Sequence, residues 1–352
     1  MEYLNSVNDK LNSIDESNIK YLDLFEHPEF VFGNLNFNAN HVDFCKYPKK
    51  IQEEMKNYGE GAVHEMNNLN SASCGNRLRF STNSKKVVFK VKLKRKWDYM
   101  KMVTWGSMGF DIYNIFDDNY IHMTVFAPMD GKDCFAEIVS SPRNGQFCVF
   151  LPNYNTIEEM HIGIEENSHI ESIPYPSNKQ LPILFYGNSV TQGASASRSA
   201  NTFPNFVSRM LNRNIINLSC SSCCQGTQSI AELIGQINCH SIVIDYTRNA
   251  NDKTIFSKTH ESFYQKIREF HPDIKIILMT ASYYNGWVEY ENYDKIVIDT
   301  YNNAIARNEN TFLLKQRDLF NEEDYDCVTI DSSHYIDYSM FKVAKAICKL
   351  LE

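Results

Sequence analysis

Between residues 78 and 165 apolar and polar positions alternate with the two-residue period of half-buried strands, in short runs bounded by turn-forming residues. The runs cover 78–82, 86–94, 109–113, 120–126, 135–140, 147–151 and 159–165. Asp130-Gly131 and Asn144-Gly145 supply turn chemistry between consecutive runs, so an all-β antiparallel sandwich or jelly roll is predicted here. Beyond residue 180 short unbroken apolar runs alternate with segments of helical period. Strands are predicted at 183–186, 215–218, 241–246, 274–279 and 312–314, and helices at 203–211, 228–237, 253–270, 293–307 and 338–351. That βα succession predicts a three-layer α/β domain, a doubly wound, flavodoxin-like parallel sheet with helices on both faces. Ile173-Pro174-Tyr175-Pro176-Ser177-Asn178-Lys179 carries two prolines and no period, which suits a linker. The expected division is an N-terminal, partly helical extension over 1–60, a β-sandwich over 61–176 and the α/β domain over 177–352.

A length of 352 residues agrees with two domains at roughly 150 residues each. The 43% hydrophobic, 13% aromatic and 22% charged composition excludes wholesale disorder and coiled coil. A formal charge of −8 provides no positive field for a polyanion, so nucleic acid is not an expected partner. The one basic run, 86–96, alternates lysine with Val87, Phe89, Val91 and Leu93, the pattern of an amphipathic strand with a solvated face. No apolar stretch reaches the ~18 residues of a membrane span, and the N-terminus lacks the cationic start and apolar core of a signal. Ten cysteines are too sparse for a disulfide scaffold, and the expected location is the cytoplasm with reduced thiols.

The first strand of the α/β domain ends in Tyr186-Gly187-Asn188-Ser189-Val190-Thr191-Gln192-Gly193. In such sheets reactive groups sit past the carboxyl ends of the strands, and a serine there occupies a strand-to-helix turn. It serves equally as a helix cap. Near the other end, Asp331-Ser332-Ser333-His334 sets a carboxylate three residues before a histidine. A lone DxxH is also a surface pair or a pair of metal ligands. With a strand-end serine in the same sheet, Ser189, His334 and Asp331 supply a nucleophile, a base for its proton and an acceptor that orients the base. Oxyanion donors are expected from the loops at 217–222 and 245–249: the backbone N–H groups of Ser189 and Ser222 and the side-chain amide of Asn249.

In this order and spacing, the blocks around Ser189, Ser222, Asn249 and His334 resemble those of the SGNH, or GDSL-type, hydrolase superfamily. Flanking stretches, among them Ile244-Asp245-Tyr246-Thr247-Arg248-Asn249-Ala250 and Gly109-Phe110-Asp111-Ile112-Tyr113, are similar to a two-domain branch with a β-sandwich ahead of the hydrolase domain. The resemblance covers roughly residues 60–352. It implies a serine ester hydrolase, a deacylase or acetylesterase acting on a small acylated substrate, often a carbohydrate. No metal and no organic cofactor are implied. An acyltransferase with the same three residues, or a ligand-binding protein that keeps the cleft without turnover, are the alternatives. Four positions depart from the family pattern: Asn188 for aspartate, Ser222 for glycine, Tyr335 for proline and Ser339 for glycine. Asn188 keeps an acceptor oxygen. The Ser222 Cβ crowds the acyl site or meets a backbone angle that only glycine adopts freely.

Cys220, Cys223 and Cys224 cluster in one of these loops without a second cysteine pair or histidines at ligand spacing, so small-residue packing is expected of them rather than zinc binding. Nucleotide-binding glycine motifs are absent. His260 is expected in a helix as a satisfied histidine. Trp105, Tyr283, Tyr284, Trp287 and Tyr290 are candidates for sugar stacking or acyl cover, with core packing the default.

Overall fold

The structure, a computed structural model, describes residues 16–35, 40–94, 102–128, 133–250, 252–282 and 289–352. Its strands are β1 (Ile19–Asp23), β2 (Val31–Phe32), β3 (Arg77–Thr82), β4 (Lys86–Leu93), β5 (Phe110–Phe116), β6 (Asn119–Phe126), β7 (Cys134–Ser140), β8 (Gln146–Phe150), β9 (Ile157–Glu165) and β10 (Ile170–Ser172) in the front half. They form two antiparallel sheets, β1-β9-β4-β7 and β10-β3-β8-β5-β6, with β2 added beside β3. Alternate side chains such as Leu78 and Phe80 on β3, Phe89 and Val91 on β4, and Phe147 and Val149 on β8 fill the space between the sheets. The turn at Asn144-Gly145 joins β7 to β8, with Gly145 at φ +65°. The turn expected at Asp130-Gly131 lies outside the described residues.

The solvated face expected for the basic run is corrected at Lys90, which is 1% exposed. β4 is an inner strand between β9 and β7, and Tyr21 packs over its outer face beside Val88 and Ala136. Lys90 Nζ lies 3.8 Å from the centre of the Tyr21 ring and 3.1 Å from Glu16 Oε1, so β1 and the residues before it supply both the cover and the counter-charge.

The second half contains β11 (Ile183–Gly187), β12 (Ile215–Asn217), β13 (Ser241–Asp245), β14 (Lys275–Met279) and β15 (Thr311–Leu314), all parallel, in the order β12-β11-β13-β14-β15. This is the flavodoxin-like order, with its crevice where the winding reverses between β11 and β13. The helices are α1 (Lys49–Glu54), α2 (Glu60–Leu69), α3 (Thr104–Ser107), α4 (Ser189–Gln192), α5 (Phe203–Leu211), α6 (Gln228–Gln236), α7 (Lys253–Phe270), α8 (Glu289–Ala306) and α9 (Asp337–Leu351). Ile183 and Phe185 face α5 and α9, while Leu184 and Tyr186 face α6 and α7, as the two-residue alternation of a strand requires. No helix among the described residues is long and apolar enough to cross a membrane.

The segment expected as an N-terminal extension is divided between the two halves. β1 and β2 are strands of the sandwich, whereas Ile51 and Met55 at α1, with Met66 and Leu69 on α2, join the core formed by Leu184, Tyr186 and Ile242. The 173–179 connection is mostly exposed but is pinned at Tyr175. Tyr175 is 2% exposed and accepts a 2.5 Å hydrogen bond from Arg77 Nε. The outer face of the β3-β8-β5 sheet lies on the α/β domain, and Asp111 is its anchor. The fully buried Asp111 carboxylate accepts from Arg198 Nη1 and His122 Nε2 at 3.0 Å each and from the Ala200 N–H at 3.3 Å.

Candidate active site

β11 stops at Gly187 because the chain must turn sharply there: a Cβ at this position would lie 2.2 Å from Thr191 Oγ1 and 2.7 Å from the Asp245 carbonyl oxygen. Asn188 then caps α4, its Oδ1 accepting the Val190 N–H at 2.8 Å. Its Nδ2 donates to the Asp245 carbonyl at 2.8 Å, a bond that the carboxylate usual at this position cannot make. Gly193 ends α4 at φ +116°. The Ser189 carbonyl accepts from the N–H groups of Gly193 and Ala194 and from the Tyr154 hydroxyl at 3.2 Å, so its peptide is held from both halves of the molecule.

Ser189 Oγ lies 2.9 Å from His334 Nε2, and His334 Nδ1 lies 2.9 Å from Asp331 Oδ2. The other carboxylate oxygen, Asp331 Oδ1, accepts the N–H groups of Ser333 at 3.1 Å and His334 at 2.8 Å. This tight turn, with Ser332 at φ +62°, presents acid and imidazole to one point. Tyr335 and Ser339, two of the departures from the family pattern, support it from beneath. Tyr335 is buried against Phe320, and the Ser339 hydroxyl donates to the Val328 carbonyl at 2.7 Å.

The loop after β12 makes a β-turn closed by the Cys223 N–H to the Cys220 carbonyl at 3.1 Å. Ser222 is its third residue at φ +60°, while Ser221 stays at negative φ, the type II pattern in which glycine is favoured at that position. The Ser221 N–H donates to Gln192 Oε1 at 2.7 Å, and Gln192 Nε2 donates to the Asn153 carbonyl at 3.0 Å. The buried Asn249 amide donates one hydrogen to the Cys220 carbonyl at 3.2 Å, which leaves it a second. Cys220, Cys223 and Cys224 are buried in the core beside this turn.

Several supporting residues carried no separate signal in the sequence. Asp245 is fully buried and accepts from Thr191 Oγ1 at 2.7 Å and Gln316 Nε2 at 2.9 Å; burial pushes its pKa up from 3.8 to about 7. Arg248 Nη2 donates to the Ser333 hydroxyl, next to His334. Gln192 and Asp245 lie inside the blocks singled out by sequence, but Tyr154 and Gln316 are distant in the chain and nothing in their neighbours marks them. His260 is a core residue, as expected: its Nδ1 meets Thr300 Oγ1 at 2.8 Å, and burial lowers its pKa to about 3. Trp105 is half-exposed at α3. Tyr283, Tyr284 and Trp287 lie outside the described residues, as does the Tyr290 side chain.

Residues 180–352 match the GDSL-like Lipase/Acylhydrolase family, and residues 19–170 match the N-terminus of SGNH-hydrolase-type esterases. The chain belongs to the SGNH (GDSL-type) ester hydrolases. Among solved structures, a candidate GDSL-like lipase from Bacteroides ovatus superposes with TM-score 0.78 at 20% identity, over 95% of this chain and 98% of that one. The salicylyl-acyltransferase SsfX3 from a tetracycline biosynthetic pathway gives 0.74 at 15%, over 95% and 97%. A family two carbohydrate esterase from Cellvibrio japonicus gives 0.57 at 12%, over 95% and 98%. At these identities the likeness is one of fold. Comparison with curated protein sequences finds no relative. In this SGNH hydrolase the Gly109–Tyr113 stretch carries the buried Asp111 that holds the α/β domain through Arg198. The four family blocks meet at the carboxyl edge of the parallel sheet.

Proposed function

We propose that this protein cleaves an ester of a small molecule, with Ser189 as nucleophile, His334 as general base and acid, and Asp331 as the orienting carboxylate. The observation that carries the reading is the hydrogen-bonded line from Ser189 Oγ through the imidazole to Asp331, at 2.9 Å per step. Asp331 as acceptor at Nδ1 selects the tautomer whose Nε2 lone pair faces the serine hydroxyl. His334 takes the hydroxyl proton as Oγ attacks the ester carbonyl carbon, and the imidazolium is stabilised by the Asp331 charge. The carbonyl oxygen becomes an oxyanion, for which the Ser189 and Ser222 N–H groups and the second Asn249 amide hydrogen are the donors. Each such donor is worth about 3–4 kcal/mol of barrier. The alcohol leaves with the proton from Nε2. Water then attacks the acyl-serine by the same route and releases the acid.

A fluorophosphonate probe tests the nucleophile. It is expected to label the wild-type protein at Ser189 and to leave Ser189→Ala unlabelled, and Asp331→Asn is expected to lower kcat by roughly 10⁴-fold by selecting the wrong tautomer. Labelling elsewhere, or none at high probe concentration, defeats the reading. Mass spectrometry of the products with water and with a sugar alcohol as competing acceptors separates hydrolysis from acyl transfer.

A further inference from the structure

A cavity of about 190 Å³ is lined by residues that neighbour two of the proposed oxyanion donors in the chain, and nothing in the Ser189–His334–Asp331 line uses it. Its apolar wall is formed by Tyr58 of the front segment, by Ala250, and by Ile255 and Phe256 on the first turn of α7. Ala250 follows Asn249 directly, a step of about 3.8 Å between Cα atoms. Gln225, also in the wall, donates through Nε2 to the Ser222 carbonyl at 3.2 Å. The cavity thus touches the segments that carry both outer donors. None of its described lining residues comes from the 328–337 segment that carries His334. The leaving alcohol must collect its proton from His334 Nε2, so it departs on the His334 side. The substituent on the other side of the carbonyl carbon is the acyl group, and a cavity that touches the donors' segments and none of the His334 segment is assigned to that side.

Size and polarity narrow the acyl group. An apolar cavity of about 150 Å³ holds benzene, so this one has room for a six-membered ring or a chain of about six carbons. It is larger than an acetyl group needs and too small for a long fatty chain. Asp252 is the one charged residue among those described in the wall, and its carboxylate is engaged as the α7 cap, accepting the N–H groups of Thr254 at 2.7 Å and Ile255 at 3.0 Å. With no lysine or arginine among these residues, a carboxylate or phosphate tail finds no partner. Ile255 is 50% exposed, apolar surface that a bound acyl group covers. We propose that this cavity is the acyl site and that it selects a neutral acyl group of benzoyl or hexanoyl size over acetyl. This rests on the reading of Ser189 as the nucleophile, and it makes the front segment, through Tyr58, part of substrate selection.

The test is kcat/KM across p-nitrophenyl acetate, butyrate, hexanoate and dodecanoate. The wild type is expected to gain roughly three- to fourfold per methylene up to hexanoate and to fall at dodecanoate. Thr259→Phe, which fills the cavity from α7, is expected to lower the hexanoate-to-acetate ratio at least tenfold; a ratio also controls for partial unfolding. A wild-type ratio at or below one, or a ratio untouched by Thr259→Phe, overturns the proposal. Binding of n-hexanamide to Ser189→Ala protein, followed by ligand-detected NMR with and without Thr259→Phe, separates the two readings. Amide binding lost in Thr259→Phe but without ester turnover upholds the cavity and overturns the nucleophile. Turnover without amide binding does the reverse.

Discussion

Single positions explain how this chain tolerates its departures from the family pattern. At Ser222 the turn demands a left-handed angle, φ +60°, that glycine adopts at no steric cost and serine does not. Ser222→Gly is expected to stabilise the protein by about 1 kcal/mol, read as a shift in the urea midpoint at constant slope, while keeping the backbone N–H in place. Asn188 is a gain as well as a loss, since its amide both caps α4 and bonds the Asp245 carbonyl. Beneath it, Asp245 titrates near pH 7 in the folded state against 3.8 when unfolded. The folded protein therefore holds this proton more tightly, so the contribution is fully present below pH 3.8 and lost as pH rises through about 7. Between pH 5 and 8 the wild type is expected to lose stability relative to Asp245→Asn, measured by paired denaturant titrations at each pH.

At the scale of elements, two loops must meet with sub-ångström tolerance, and a third contact ties them. Asp337, the first residue of α9, accepts from the Ser197 N–H and hydroxyl and from Asn201 Nδ2, at 2.8, 2.5 and 2.7 Å. Ser197 lies eight residues after Ser189, and Asp337 lies three after His334, so this carboxylate couples the nucleophile's segment to the base's. Asp337→Ala is expected to lower kcat roughly tenfold with little change in KM, because geometry is lost and no substrate contact is removed. A change confined to KM in steady-state assays would contradict that role. Both segments were legible as blocks in the sequence. Their tie was not, because Ser197 and Asp337 are 140 residues apart and nothing in either stretch records the other.

Across the whole molecule the two halves share a core and a buried ion pair. α1 and α2 lie between the sandwich strands β2 and β3 in sequence yet cover Leu184, Tyr186 and Ile242 of the parallel sheet's neighbourhood, and Asp111 buries its charge against Arg198 from the other half. A fragment of residues 177–352 is expected to expose that apolar face, to bind the dye ANS and to lack a near-UV circular dichroism signal. A cooperative, ANS-silent fragment would show that the front segment is dispensable to the core.

Local periodicity by itself marked β3–β9, β11–β15 and the helices α5–α9, since burying one face of an element imposes a two-residue or 3.6-residue rhythm on its own side chains, whereas β1, β2 and β10 are too short or too polar to show one. The same sequence singled out Ser189, His334 and Asp331 because acyl chemistry restricts residue types and the parallel sheet restricts where they sit. Long-range packing decided the rest: that Lys90 is buried under Tyr21, that the helices at 49–69 cross to the far core, and that Tyr58 walls a cavity together with Ala250 and Phe256. Those outcomes depend on which surfaces meet once the elements exist, and no pattern within a single segment records its eventual partner.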